Sequence, residues 1–273
     1  MNSLDAFANA KLSALERGAL RRHITETRRE LWPDEGPIVF RGSRKLVSFS
    51  CNDYLALSQH SAVKAAAIAA IETYGAGAGA SRLVTGNHPL FAELESRLAR
   101  FKGTDAALVF GSGYLANLGI VPALANQGDL IVIDELSHAC LHAGARLSSA
   151  EHRLFRHNDV DHARKILAAE RGRFRHALLL TDGVFSMDGD LAPIGDLAAL
   201  CAEQDVWLMS DDAHGLGVLA EGRGSNFVGD ARADVPLQMG TLSKALGGYG
   251  GYLCASAPLI ELLKTRARTL LFA

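Results

Sequence analysis

No run of apolar residues in this chain reaches the ~20 needed to cross a bilayer as a helix. Even the stretch from Ala62 to Ile71 is broken by Lys64 and closed by Glu72, so a helical membrane protein is not expected. Cysteine is scarce: Cys51, Cys140, Cys201 and Cys254 lie far apart and form no CxxC pair. That usage excludes a zinc ribbon or a disulfide framework and suits a reducing compartment. Neither sign of charge dominates, with 28 Lys and Arg against 30 Asp and Glu. A net charge of −2 gives no electrostatic footprint for coating nucleic acid. The amino terminus lacks the basic, apolar, small-residue order of a secretory signal, because Asp5 and Glu16 interrupt it, and a cytoplasmic protein is the expectation. There is no GxxxxGK[ST] phosphate loop, no internal repeat and no low-complexity segment.

What is present is enough for a sizeable core: 273 residues, 48% of them apolar, which make one large domain or two small ones. The first fifty residues differ from the rest. Lys11 to Glu30 mixes charges densely, and Trp32-Pro33-Asp34-Glu35-Gly36-Pro37 then breaks the pattern, so residues 1–46 are expected to form a helical arm and a loop. From Val47 to the end, short apolar strands alternate with helical stretches. Ala106–Phe110, Leu130–Ile133, Ala177–Thr181, Val206–Ser210 and Gly251–Cys254 read as buried strands. Pro89–Phe101, Leu115–Ala125, Asp159–Glu170 and Ile194–Gln204 carry apolar residues at helical spacing. This alternation predicts an α/β domain over residues 47–273 with a mostly parallel sheet between helices. Ligands of such sheets bind beyond the carboxyl ends of the strands.

The glycines of Tyr74-Gly75-Ala76-Gly77-Ala78-Gly79-Ala80 follow an alanine-rich, helix-like segment. A dinucleotide fingerprint requires a strand before the glycines, so a flexible connection is the better reading. Gly111-Ser112-Gly113-Tyr114 is placed differently: it follows a strand and opens a helix, where free N–H groups and the helix dipole can hold a phosphate. The strand from Val206 ends in Asp211-Asp212-Ala213-His214. Asp211, nearest the strand, is expected to point into the cleft, where a carboxylate can keep a ring nitrogen protonated. Asp212 reads as a turn or cap. Lys244 is the one charge between Asp234 and Glu261, set among hydroxyls and glycines in Thr241-Leu242-Ser243-Lys244-Ala245-Leu246-Gly247-Gly248. Desolvation there would lower its pKa and make it a nucleophile or base. His138 follows another strand end and offers a flat ring for stacking.

These motifs do not stand alone. FRHNDV at 155–160, GVFSMDGD at 183–190, DDAHG at 211–215, GRGS at 222–225, SCNDYL at 50–55, ASRLVTG at 80–86 and QMGTLSKALGGYGG at 238–251 occur in one order. Together they resemble the α-oxoamine synthases, pyridoxal phosphate enzymes of aminotransferase fold type I, and most of all the biotin-pathway branch of that family. The resemblance runs from about Val47 to the end and makes Lys244 the lysine that carries pyridoxal 5'-phosphate, Asp211 the partner of the ring nitrogen and His138 the residue stacked on the ring. It places His214 and Ser186 near the ring's phenolic oxygen, and Gly113, Tyr114 and Thr241 at the phosphate. Arg21 and Asn52 lie toward the substrates by the same likeness. Tyr114 stands where several relatives have phenylalanine.

The resemblance implies a decarboxylative condensation of an amino acid with an acyl thioester, which for the biotin-pathway branch means L-alanine with pimeloyl-CoA or a pimeloyl carrier-protein thioester. A homodimer is implied too, with neither a nucleic acid nor a membrane as partner. Glycine C-acetyltransferase, 5-aminolevulinate synthase and serine palmitoyltransferase share most of these residues, and a non-catalytic partner subunit is a reading from another class. Family members continue about another hundred residues into a smaller carboxy-terminal domain, missing from a chain that stops at Arg268-Thr269-Leu270-Leu271-Phe272-Ala273.

Overall fold

The computed structural model describes residues 2–32, 36–229 and 232–272. The chain divides into two compact units, Met1–Cys51 and Asn52–Ala273, so the division falls five residues beyond the expected 46/47 boundary.

In the first unit, helix α1 (Ser3–Arg17) starts where the Asn2 side chain accepts a hydrogen bond from the Asp5 N–H at 2.9 Å. Asp5 in its first turn and Arg17 in its last both complement the helix dipole. No residue of α1 is buried. The remainder is not the loop expected from the sequence. Strands β1 (Arg28–Trp32), β2 (Gly36–Arg41) and β3 (Arg44–Val47) form an antiparallel meander, with Gly42 at φ +59° in the turn between β2 and β3. Ile38 and Val39, on opposite faces of β2, are both buried, whereas the charged residues of β3 remain at the surface, so a charged segment still makes strands. Pro33–Glu35, inside the expected break, lies outside the described residues.

The second unit is built on a seven-stranded sheet. Its strands are β4 (Ala106–Phe110), β5 (Leu130–Asp134), β6 (Glu151–Phe155), β7 (Ala177–Asp182), β8 (Trp207–Asp211), β9 (Leu237–Thr241) and β10 (Gly251–Ala255), in the spatial order β4-β10-β9-β8-β7-β5-β6. All pairs from β6 to β9 are parallel, and β10 runs antiparallel to both of its neighbours. The five strands expected from apolar runs are present within one residue of their expected limits. Two were not anticipated. The edge strand β6 reads Glu-His-Arg-Leu-Phe and is mostly exposed, while β9 reads Leu-Gln-Met-Gly-Thr and interrupts its apolar run with an amide and a glycine.

Successive strand residues face opposite sides. Leu108, Ile131, Leu180, Met209 and Leu253 pack on one face with α4 (Gly113–Leu124), α5 (Ala139–Leu147) and α8 (Ala257–Arg266). Val132, Leu179 and Leu208 pack on the other with α6 (Val160–Glu170) and α7 (Ile194–Glu203), and Val109 and Tyr252 do so with α3 (Pro89–Lys102). Helix α2 (Ser61–Tyr74) ends at Gly75, with φ +88°, so a helix and not a strand leads into the glycine-rich run. Among the described residues no helix is long and apolar enough to cross a membrane. The sheet directs Phe110, Asp134, Asp182, Asp211 and Thr241 to one edge, with Gly251 entering β10 beside Phe110 and Thr241.

Candidate active site

Three loops at that edge bring Lys244 and His214 together. Lys244 Nζ lies 2.7 Å from His214 Nε2, and Tyr54 Oη lies 2.6 Å from His214 Nδ1. Burial, with Lys244 and then His138 nearby, lowers the His214 pKa to about 4. The ring is therefore neutral at neutral pH, so Lys244 donates to Nε2 and Nδ1–H donates to Tyr54. Burial likewise lowers the Lys244 pKa, against the opposing pull of Asp211, Asp182 and Cys140. An amine whose pKa is lowered in this way gives up its proton more readily than a solvated lysine.

Asp211 sits at the tip of β8, buried, and its carboxylate is fixed from two sides. Asn117 Nδ2 donates at 2.8 Å and the Ala213 N–H at 3.1 Å. Asn117 is fully buried on α4, one turn after Gly113, and its Oδ1 has no hydrogen-bond partner among the described residues. The same Nδ2 lies 3.0 Å from Cys140 Sγ, which in turn lies 2.7 Å from His138 Nδ1. Burial, then Asp211, pushes the Cys140 thiol up to about 12. It therefore stays protonated and donates to His138, whose Nδ1 also accepts the Cys140 N–H in capping α5. The His138 ring is left exposed on the rim.

Asp182 lies opposite Asp211 in the β7–β8 register and accepts the His138 N–H at 2.7 Å. Burial, and then the Asp211 charge, raises its pKa to about 8. A folded-state pKa above the unfolded value of ~3.9 adds stability that is complete below pH ~4 and is lost as pH rises to about 8. Asp182→Asn is therefore expected to flatten the fall in stability between pH 4 and 8, measured by urea unfolding. A slope equal to that of the parent chain would refute the assignment.

The start of α4 forms a small cradle. Ser112 caps the helix by accepting the Leu115 N–H at 3.1 Å, while Gly113 and Tyr114, in the first turn, have no intrahelical acceptor for theirs. A Cβ on Gly251 would lie 2.5 Å from Ser112 O and 2.6 Å from Gly113 N, so glycine is required where β10 crosses beneath the cradle. Thr241 is buried, and its hydroxyl meets Gly250 O and Ser243 Oγ, both at 2.8 Å. It thus shapes the Lys244 loop, and a direct phosphate contact would require it to exchange one of these partners. An anion cradle, a buried carboxylate, an exposed flat ring and an amine of lowered pKa form a donor set that fits pyridoxal phosphate.

The other expected residues are less closely tied to this group. Ser186 lies in an exposed turn after β7 and hydrogen-bonds none of these groups among the described residues. Asn52 is exposed and accepts from Tyr54 Oη at 3.3 Å. Arg21, in the first unit, is ion-paired with Glu16 at 3.1 Å. Asp212 corrects the expectation of a turn residue: it is fully buried and paired with Lys102 at 3.2 Å. Sequence reasoning missed Asn117, Cys140, Asp182 and Tyr54. Two of them carried a signal, since Asn117 is a polar residue in an apolar helix and Asp182 ends an apolar strand as Asp211 does.

Residues 44–273 match the family described as aminotransferase class I and II. The 8-amino-7-oxononanoate synthase of Beijerinckia indica subsp. indica is 63% identical over all of this chain and 70% of its own length. That of Methylocella silvestris is 70% identical over 86% of this chain and 67% of its own. Among solved structures, serine palmitoyltransferase from S. paucimobilis, with bound pyridoxal phosphate joined to myriocin, superposes with a TM-score of 0.87 at 28% identity, over all of this chain and 71% of that one. The chain thus belongs to the class I and II aminotransferase family and, within it, to the α-oxoamine synthases.

Proposed function

We propose that this chain acts in biotin biosynthesis as a pyridoxal phosphate-dependent C-acyltransferase, condensing L-alanine with a pimeloyl thioester to 8-amino-7-oxononanoate with loss of carbon dioxide. The thioester is carried by CoA or a carrier protein, and the enzyme works as a cytoplasmic homodimer. Relatives of that name at 63% and 70% identity support the reading, and the observation that carries it is the Lys244–His214–Tyr54 chain on the same sheet edge as Asp211.

Pyridoxal phosphate, when bound, supplies an electron-accepting ring that acidifies the α-carbon of an attached amino acid. The residues of this chain do the rest. Asp211, fixed by Asn117 and the Ala213 N–H, would set a negative charge at the ring nitrogen and favour its protonated form. Gly113 and Tyr114 would offer N–H groups to the phosphate, and the exposed His138 ring would stack on the cofactor. His214, with Ser186 in the turn after β7, would serve the phenolic oxygen. Lys244 would hold the cofactor and serve as the base for the α-proton, and its Nζ lies within hydrogen-bond distance of His214 Nε2. Asn52 would orient the substrates.

The test is borohydride fixation of the cofactor followed by peptide mapping, together with product mass from pimeloyl-CoA and each of L-alanine, glycine and L-serine. The Thr241–Gly248 peptide should carry the label, and L-alanine should give the fastest turnover. A label on Lys64 would overturn the site. Preference for glycine or L-serine would overturn the substrate while leaving the family intact.

A further inference from the structure

Behind the Asp211–His214 turn lies a second carboxylate that the reaction does not use. Asp212 and Lys102 are both fully buried, 3.2 Å apart, and separated by more than a hundred residues of sequence. Lys102 is the last residue of α3, a place where lysine ordinarily reaches solvent. Here its Nζ also donates to Arg223 O at 2.6 Å and lies 5.3 Å from the centre of the Phe227 ring. The Asp212 carboxylate accepts the Ser225 N–H at 3.1 and 3.2 Å through its two oxygens.

Three glycines enclose that carboxylate. A Cβ on Gly183 would lie 2.8 Å from Asp212 Oδ1, one on Gly215 2.1 Å from the same atom, and one on Gly224 1.7 Å from Oδ2. The main chain of Asp212 is held as well, because its N–H donates to Met239 O at 2.9 Å and its carbonyl accepts from Gly215 and Leu216. A residue clamped at carboxylate, amide and carbonyl leaves little freedom to its neighbours. Asp211 comes immediately before it, and His214 two residues after. Lone-residue flexibility at His214 would break the 2.7 Å contact with Lys244.

The structure assigns Lys102 as a positioning residue: its buried ion pair with Asp212 locks the turn that aims His214 at Lys244. The inference rests on reading Lys244 and His214 as the working pair, but it concerns the chain's own residues and can be tested on the cofactor-free protein. An ion pair is well suited to such a lock, because a buried charge tolerates only positions where its partner and hydrogen bonds are complete.

The experiment is an NMR titration of the His214 ring, its resonance identified by its loss in H214Q. The groups facing that ring are Lys244, Tyr54 and His138. In the parent chain the midpoint should lie at about 4. Removing both charges in the double variant K102M/D212N keeps the site free of an unpaired ion, and D212N alone preserves the shape of the side chain. In each, His214 should drift toward solvent and its midpoint rise by at least one pH unit toward the ordinary ~6.5. The control is R82M/E95Q, which removes another largely buried ion pair, between Arg82 and Glu95 of α3 at 2.6 Å. It should lower the unfolding midpoint and leave the His214 titration in place. A role in stability alone would make the Lys102 and Asp212 variants behave as this control does. A parental His214 midpoint in either folded variant overturns the assignment.

Discussion

Lys244→Ala should abolish borohydride labelling of the Thr241–Gly248 peptide and slow α-proton exchange of L-alanine by at least ~10⁴-fold, the upper range for loss of a general acid–base group. Both functions proposed for this residue, holding the cofactor and moving the proton, vanish in one substitution. The fold should survive, because the side chain is only half-buried and its bond to His214 is the one polar contact it makes among the described residues. Circular dichroism of the variant should match that of the parent. Lys244→Arg should not restore exchange, since a guanidinium remains protonated. Exchange within tenfold of the parent rate would move the role to another lysine. Lys102 could not take it, because its Nζ is fully buried and bound to Asp212 and Arg223.

Several parts of this arrangement can be read from the sequence because each depends on local order. The apolar strands ending at Phe110, Asp134, Asp182 and Asp211 are short, β-branched or leucine-rich, and buried on both faces, so their pattern is continuous and easily seen. Lys244 stands out because nothing charged surrounds it. By contrast, β9 hides behind Gln238 and Gly240. Gly240 is required because a Cβ there would come within 2.4 Å of Tyr252 Oη, a constraint that exists only after β10 has packed beside it. The Asn117–Asp211 and Lys102–Asp212 contacts join residues about a hundred positions apart, and no periodicity reports such a meeting. The helical arm of the first unit is legible, but its strands are hidden for a different reason: mixed charges suit an exposed helix and an exposed strand equally well.

Lys102→Met alone should destabilise the chain by ~3–5 kcal/mol, because it leaves Asp212 buried without its partner. For a unit of ~200 residues that is a fall in Tm of roughly 6–20 °C. The pH dependence has a definite sign. Burial already raises the Asp212 pKa, and Lys102, through its charge and hydrogen bond, opposes that rise. Without Lys102 the folded-state value climbs further above the unfolded ~3.9, so the variant is penalised least below pH ~4 and progressively more as pH increases. Thermal unfolding at pH 4 and pH 8 should show a larger loss at pH 8. The double variant with Asp212→Asn should recover much of the difference, since no charge is then left unpaired. A single variant as stable as the parent at pH 8 would mean that Asp212 reaches solvent.

The reversed strand β10 has a consequence for the order in which the enzyme comes into being. It lies between β4 and β9, and its first residue, Gly251, pairs with both Phe110 and Thr241. On the ribosome, β4 and the start of α4 emerge well before the strand that joins them to the rest of the sheet. At ~5–20 residues per second that interval is on the order of 10 s. Throughout it, β4 has an open edge and the Ser112–Gly113 turn has nothing beneath it. The turn at the start of α4 is thus among the last features of this sheet to close, although its residues are among the first of the sheet to be synthesised. Nascent chains halted before Gly251 would present the segment Ala106–Phe110 as an unpaired apolar strand, the kind of edge that chaperones shield and that aggregation exploits.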